Sequence, residues 1–390
     1  MLSRLINISK LNSFFIFGAR GTGKTTWILD QKTWENAPLF DFLKPETEDT
    51  YSRNLSLFEK EILAKKPEWV ILDEVQKVPR LLDVVHSLIE SQGIKFILTG
   101  SSARKLKRGG ANLLAGRAFV HHLYPLTTLE LDNRFDLNES LNWGSLPKIF
   151  QLESPSDKAA FLRSYALTYL KEEIQMEQIV RNLDPFRNFL ESAAVMNGKV
   201  LNYNKIAKDV GVDIKTIQSY YEILQDTWLG FYLPAYHNSV RKSQRQHPKF
   251  YLFDTGVKRA LERSLDGYFT PSTSAYGDAF EHWIILEAYR YNDYFKRDYK
   301  LSFYQTHQGA EIDLILSKPG RDPIVIEIKS TNKVDQIEVN KLEKLSKELK
   351  SAQTYYLSQY PERFVDGSVT CCHWMDGLKE IFQTLNPLSK

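Results

Sequence analysis

Cysteine is scarce in this chain: among 390 residues there are two, Cys371 and Cys372, side by side near the carboxyl end. They offer no disulfide framework, and a reducing cytoplasm is the expected compartment. No apolar run approaches the ~20 residues of a bilayer-spanning helix. The opening Met1-Leu2-Ser3-Arg4-Leu5-Ile6-Asn7 also lacks the long apolar stretch of a leader, so no membrane partner is expected. An excess of one charge is missing too. Lys and Arg number 51 against 48 Asp and Glu, a balance of +3. That supplies no global basic field for nucleic acid and leaves only local patches. Repeats and low-complexity tracts are absent. The length suits two or three domains with ample core.

What is present centres on Phe14–Trp27, Phe-Phe-Ile-Phe-Gly-Ala-Arg-Gly-Thr-Gly-Lys-Thr-Thr-Trp. Four apolar residues predict a buried strand. Gly18, Gly23, Lys24 and Thr25 have the spacing G-x-x-x-x-G-K-[ST], with a helix starting behind them, which is the setting of a P-loop. Main-chain N–H groups along Gly18, Ala19, Arg20, Gly21, Thr22, Gly23, Lys24, Thr25 and Thr26 can then curl around phosphates at the positive end of that helix. Lys24 is expected to reach the β- and γ-phosphates, and the Thr25 hydroxyl to ligate Mg²⁺.

A second buried strand is expected at Trp69-Val70-Ile71-Leu72, running into Asp73-Glu74. Beside a P-loop, Asp73 can hold the Mg²⁺ shell and Glu74 can polarise the attacking water. Leu81–Glu90 has helical spacing, and Lys95–Leu98 reads as a third strand tipped by Thr99 and Ser101. These two can sense the γ-phosphate, or they can merely form a turn or a helix cap. The basic stretch Arg104–Arg108 and Gly109-Gly110 suggest a mobile loop, followed by Arg117 as a candidate arginine finger. Strands alternating with helices around a phosphate loop predict an α/β, doubly wound, mostly parallel sheet.

The succession Gly-Ala-Arg-Gly-Thr-Gly-Lys-Thr, Ile-Leu-Asp-Glu-Val-Gln-Lys-Val-Pro, Leu-Thr-Gly-Ser-Ser, Ala-Gly-Arg and Tyr-Pro-Leu resembles the prokaryotic AAA+-type ATP-binding proteins with a C-terminal domain of unknown function. Later phrases extend the resemblance over nearly the whole chain: Gly144-Ser145-Leu146-Pro147, Pro248–Gly256 and Gly309-Ala310-Glu311-Ile312-Asp313. It implies ATP as the nucleotide. Four parts are expected: a P-loop ATPase domain at 1–130, a helical lid or connector at 131–195, a winged-helix domain at 196–260 and a further α/β domain at 261–390.

Within the second part, Ser156–Val180 reads as one long helix with Phe161, Leu162, Tyr165, Tyr169 and Ile174 on one side. Ile206–Val212 followed by Asp213–Ile217 has helix-turn-helix form, with Gly211 at the turn, Asp213 as cap, and Ile214, Ile217, Tyr221 and Leu224 facing the core. Gly230–Tyr236 and Lys249–Phe253 are expected to pair around a wing carrying Arg241, Lys242, Arg245 and Lys249. A wing of that charge can touch DNA, whereas Lys215, Gln218, Ser219 and Glu222 on the second helix are poor phosphate binders.

In the last third, a helix over Gly277–Tyr289 carries Glu281, and the strands Glu311–Leu316 and Ile324–Lys329 are joined by a Pro- and Gly-containing turn. Folded as a hairpin, they place Asp313 opposite Glu327, a pair of hard oxygen ligands for a divalent ion. Asp…Glu-x-Lys with a helical acid upstream resembles the restriction-endonuclease-like superfamily. The resemblance makes Asp313, Glu327 and Glu281 ligands of Mg²⁺ or Mn²⁺ and Lys329 the residue that steadies the attacking water or the phosphate. His307 reads as a surface residue. The expected function is an ATP-driven switch that repositions the winged helix and the nuclease-like domain on DNA or on a protein partner, with an oligomer compatible. An ATP-gated endonuclease and a non-hydrolysing ATP-bound scaffold are the alternatives.

Overall fold

Phe14, Phe15, Ile16 and Phe17 are all buried, as a strand is when both faces of its sheet are covered. In the computed structural model, which describes residues 3–102, 114, 116–169, 183–237, 246–306 and 308–384, they form β1 (Ser13–Phe17). Its sheet also contains β2 (Leu39–Asp41), β3 (Trp69–Asp73), β4 (Lys95–Gly100) and β5 (Ala118–His122), in the order β2-β3-β4-β1-β5. Every pairing is parallel. Phe15 and Phe17 pack with Phe58, Ile62, Leu82 and Val85 from the helices Leu55–Lys65 and Leu81–Gln92. Phe14 and Ile16 face Ile28, Trp34 and Trp69 on the other side. The sequence reading passed over β2 and the helix Pro45–Arg53. The strand has three residues, of which only Phe40 is buried, and the helix exposes its polar side chains, so neither leaves a hydrophobic period to read.

Residues 131–265 build a second body. Its helix Tyr203–Val210 ends at Gly211 (φ 78°), and Asp213 accepts from the Thr216 N–H at 2.9 Å to start the helix Ile214–Asp226. An antiparallel hairpin follows, β6 (Gly230–Leu233) with β7 (Lys249–Leu252). Leu146 and Leu162 from the preceding helical stretch share one core with Phe189, Ile217, Tyr221 and Leu252. Connector and helix-turn-helix therefore pack as a unit. Ile214, expected in the core, is 41% exposed. The buried stripe is instead Ile217, Tyr220, Tyr221 and Leu224, at i, i+3, i+4 and i+7, which turns the first residue of the helix outward. The long helix expected over 156–180 is an α-helix at Pro155–Ser164 that widens into a π-helix at Tyr165–Tyr169. Ile174, Arg104–Arg108, Gly109-Gly110, Arg241, Lys242, Arg245 and His307 lie outside the described residues.

The third body packs the helix Ser274–Tyr294 on a six-stranded mixed sheet. Its strands are β8 (Lys300–Gln305), β9 (Glu311–Ser317), β10 (Ile324–Ile328), β11 (Gln353–Ser358), β12 (Phe364–Asp366) and β13 (Val369–His373), in the order β12-β13-β11-β10-β9-β8. The first three are antiparallel, and the helix Gln336–Glu348 then returns the chain so that β11 lies parallel to β10. Phe280, Trp283 and Ile284 bury one face against Leu314, Leu316 and Ile326. Val339, Leu342 and Leu345 cover the other, over Ile315 and Val325. Among the described residues no helix is long and apolar enough to cross a membrane.

Buried polar groups brace the second body from within and tie the three bodies together. Asp254 accepts from the Ser145 N–H at 2.7 Å and the Val257 N–H at 3.0 Å. A Cβ on Gly144 (φ 75°) would sit 2.0 Å from that carboxylate, so the phrases Gly-Ser-Leu-Pro and Asp-Thr-Gly interlock. Arg290 donates to Leu126 O (3.2 Å) and Phe253 O (2.9 Å), while Glu287 accepts from the Thr128 N–H at 2.9 Å. His282 is fully buried, and its Nε2 lies 2.6 Å from Leu252 O, which fixes this nitrogen as the donor. Burial holds its pKa down at about 3, against an ordinary 6.5. A lowered imidazole pKa contributes stability that is complete above the unfolded value and is lost as pH falls below it. Lowering the pH from 6.5 to about 4 should therefore cost wild type about 3 kcal/mol more than His282→Leu. Urea titrations across that range check this, and parallel pH slopes for the two proteins would refute it.

A candidate nucleotide site at the carboxyl ends of the parallel strands

The loop after β1 turns through Gly21 (φ 79°) and Gly23 (φ 90°), left-handed conformations that side chains resist. Gly18 is needed for a different reason: a Cβ there would lie 2.2 Å from Leu123 O. Gly23 caps the short helix Lys24–Leu29. Lys24 is buried, with Nζ donating to Gly18 O at 2.8 Å and Ala19 O at 3.2 Å, which places its ammonium inside the curl. The loop is also held from outside. Tyr165 donates its hydroxyl to Arg20 O at 2.8 Å, and Arg4 Nη1 donates to Thr22 O at 2.9 Å. Thr22 Oγ1 closes the turn on Ala19 O at 2.9 Å. Ala19 itself joins the core of the second body.

Because β4 stands between β1 and β3, its tip reaches both the P-loop and the acidic pair. Thr25 Oγ1 donates to Asp73 at 2.8 Å (Oδ2) and 3.1 Å (Oδ1). Thr99 also donates to Asp73, and accepts from the Glu74 N–H at 3.0 Å. Burial pushes the Asp73 carboxyl up, and the Thr99 and Thr25 hydroxyls pull it back toward the ionised form. Glu74 takes a left-handed conformation (φ 57°) unusual for its residue type. Its Oε2 accepts from Ser101 Oγ at 3.2 Å and Ser101 N at 3.4 Å. Thr99 and Ser101 thus both contact the acidic pair of this candidate site.

Gln76 belongs to it as well, and sequence reasoning missed it. Its buried amide donates to Glu74 Oε2 and to Ser101 Oγ (3.0 Å). Gly100 makes the room, since a Cβ there would meet Gln76 Oε1 at 2.6 Å. A lone Gln in a short 3₁₀ turn carries no local signal of such a role. Arg117 was expected here and is elsewhere. The register Ser13↔Ala118, Phe17↔His122 puts it at the start of β5, roughly 20 Å along the strands from the P-loop. There it pairs with Glu90, so within this chain it does not reach the phosphate loop.

In the third body, β9–β10 pairing ends at Ile326↔Leu314, so the next pair across would be Asp313 and Glu327. Asp313 Oδ2 accepts from the Ile328 N–H at 2.8 Å, and Lys329 Nζ lies 2.5 Å from Glu327 Oε1. Burial, then Glu327 and Glu281, pushes the Asp313 carboxyl well above the usual range. Burial also raises Glu327, against the pull of Lys329. Glu281 departs from the expectation. It is bound by Tyr251 Oη at 2.6 Å and Lys249 Nζ at 3.4 Å, both from β7. Among the described residues no three carboxylate, imidazole or thiolate groups converge as a metal-holding set. Glu281 is still near enough for its charge to act on Asp313 and Glu327.

Residues 11–131 match the AAA domain family. Residues 134–266 match a domain of unknown function (DUF8612), and residues 276–374 match another (DUF4143). The amino-terminal third is thus similar to AAA domains, and the last part of the chain to a C-terminal domain of unknown function. Relatives of modest identity occur in distant microbes. An uncharacterized protein of Mycobacterium tuberculosis is 25% identical over 265 residues, 67% of this chain; the chain spans 59% of that relative's length. An uncharacterized protein of Methanocaldococcus jannaschii is 24% identical over 368 residues, covering 86% of this chain and 79% of its own. Among solved structures, the Aeropyrum pernix ORC1 protein in complex with DNA aligns at 11% identity and a TM-score of 0.25, covering 66% of this chain and 87% of that one.

Proposed function

We propose that the AAA domain hydrolyses ATP with Mg²⁺ and that the cycle shifts the helix-turn-helix body and the C-terminal domain on DNA. The observation that carries this reading is the Thr25–Asp73 contact at 2.8 Å, with Glu74 beside it. A hydroxyl and a carboxylate meeting at the mouth of a P-loop are the hard oxygen donors Mg²⁺ takes. Bound there, Mg²⁺ would offset charge on the β- and γ-oxygens. Lys24 grips the phosphates, and Thr99 keeps Asp73 aimed. Glu74, steadied by Ser101 and Gln76, accepts the proton of the attacking water.

The coupling to the other bodies is supported by what holds the loop. Tyr165, bonded to Arg20 O, belongs to the second body. Arg4 joins Thr22 O to Glu130 and to Tyr294 Oη (3.5 Å), at the end of the C-terminal domain's long helix. Trp228, from the turn before β6, packs 4.3 Å from His122 at the end of β5. A change in the loop's shape thus meets side chains from both other bodies. The DNA-cleaving alternative is not adopted, because Lys249 and Tyr251 engage Glu281.

Turnover of Mg²⁺–ATP by the purified chain, with and without short duplex DNA, tests the proposal. Hydrolysis that stops on chelation of Mg²⁺ and changes rate with DNA is the expected result, with DNA affinity falling steeply as salt rises. No turnover under any of these conditions would overturn the hydrolase assignment. A DNA affinity indifferent to salt would remove the nucleic acid partner.

A further inference from the structure

A divalent ion shared by Asp313, Glu327 and Glu281 would need Glu281 free to turn toward the other two, and the structure shows it engaged elsewhere. Lys249 is the decisive group. Its side chain is 5% exposed, with Nζ 2.5 Å from Glu311 Oε1 and 3.4 Å from Glu281 Oε1. The ammonium also lies 5.4 Å from the Phe303 ring centroid. Tyr251, two residues along β7 and so on the same face, donates to the same Glu281 oxygen. Lys249 cannot swing away cheaply. Its backbone is paired with Leu233 in the hairpin and bridged to Val200, and Pro248 O accepts from the Leu201 N–H at 2.9 Å.

We infer that Lys249 is the resident cation of this cluster, bridging Glu281 and Glu311 and taking toward Glu281 the charge role that a divalent ion would otherwise have. An ion brought a few ångströms from a buried ammonium meets strong repulsion in a site too dry to screen it. The native C-terminal domain is therefore a metal-independent body, clamped to the hairpin β6–β7 by a lysine. Asp313, Glu327 and Lys329 keep a nuclease-like layout beside it, with Glu281 engaged by Lys249 and Tyr251. This places the C-terminal domain on the binding side of the chain's function, and it holds whether or not the AAA domain turns over ATP.

The test is a Mn²⁺ titration of the full nucleotide-free chain, with free Mn²⁺ followed by electron paramagnetic resonance. Wild type should show no C-terminal site tighter than about 1 mM. Lys249→Met, which keeps the length of the side chain and removes the charge, should gain a site roughly 100-fold tighter. That site should disappear in Lys249→Met/Glu281→Gln. Micromolar Mn²⁺ binding by wild type that is lost in Asp313→Asn would overturn the inference, and this arm needs no Lys249 variant to fold. A folded Lys249→Met or Lys249→Gln protein that gains no ion would overturn it equally, with the thermal melt of each variant establishing that it is folded.

Discussion

Glu74→Gln should bind ATP as wild type does and hydrolyse it roughly 10²–10⁴ times more slowly, the usual worth of a positioned general base. The substitution keeps the shape of the side chain and removes only its ability to take a proton. Ser101 and Gln76 hold the Glu74 carboxylate through one oxygen, Oε2, which leaves the other to face a water. Thr25 and Asp73 are untouched, so affinity for Mg²⁺–ATP, read by calorimetry, is the built-in control. Equal turnover in variant and wild type would sink the assignment of Glu74. A parallel loss of affinity would instead mean that the side chain shapes the pocket.

The second large effect is expected at Arg4, which lies far from any motif. Its guanidinium is nearly enclosed, 5% exposed against a fully buried Glu130 at 2.8 Å, and it reaches Tyr124 O and Thr22 O as well. Arg4→Met should cost about 3 kcal/mol in urea unfolding, because it strands a buried carboxylate. Glu130 keeps the Leu5 and Thr127 N–H groups, each at 2.8 Å, which holds the loss near the lower end for broken buried pairs. Arg4→Met/Glu130→Gln should recover most of that stability, since no charge is then left alone. It should not recover ATP affinity, because Thr22 O still lacks its outer donor. A stable single variant with unchanged affinity would show that the P-loop does not lean on Arg4.

These two residues also mark how far the sequence could be read. Glu74 was legible because its meaning is local: four apolar residues, then two acids, following a glycine-rich loop. Asp313 and Glu327 could be paired from the period of two strands joined by a short turn, and the register bears out their adjacency. Arg4 and Gln76 gave no such signal. Their roles depend on groups up to 126 residues away in the case of Arg4 and Glu130, and on space left by a glycine in the case of Gln76 and Gly100. Glu281 had the expected residue type on the expected helix, but its partner Lys249 arrives from a different body and was not legible beside it.

By itself, then, the chain's sequence determined the phosphate loop, the acidic strand end behind it and the α/β character of both sheets. Glycine spacing, apolar period and turn residues act over a few neighbours and need no knowledge of the rest. Only the tertiary structure decided which distant side chains close on those motifs. Insertion of β4 between β1 and β3 brings Thr99 and Ser101 to the acids, and parallel register carries Arg117 to the wrong end of the sheet. The packing of β7 against the long C-terminal helix delivers an ammonium to Glu281. Each outcome depends on strand order and body-to-body packing, where burial and charge pairing between remote residues choose among arrangements that local preference leaves equal.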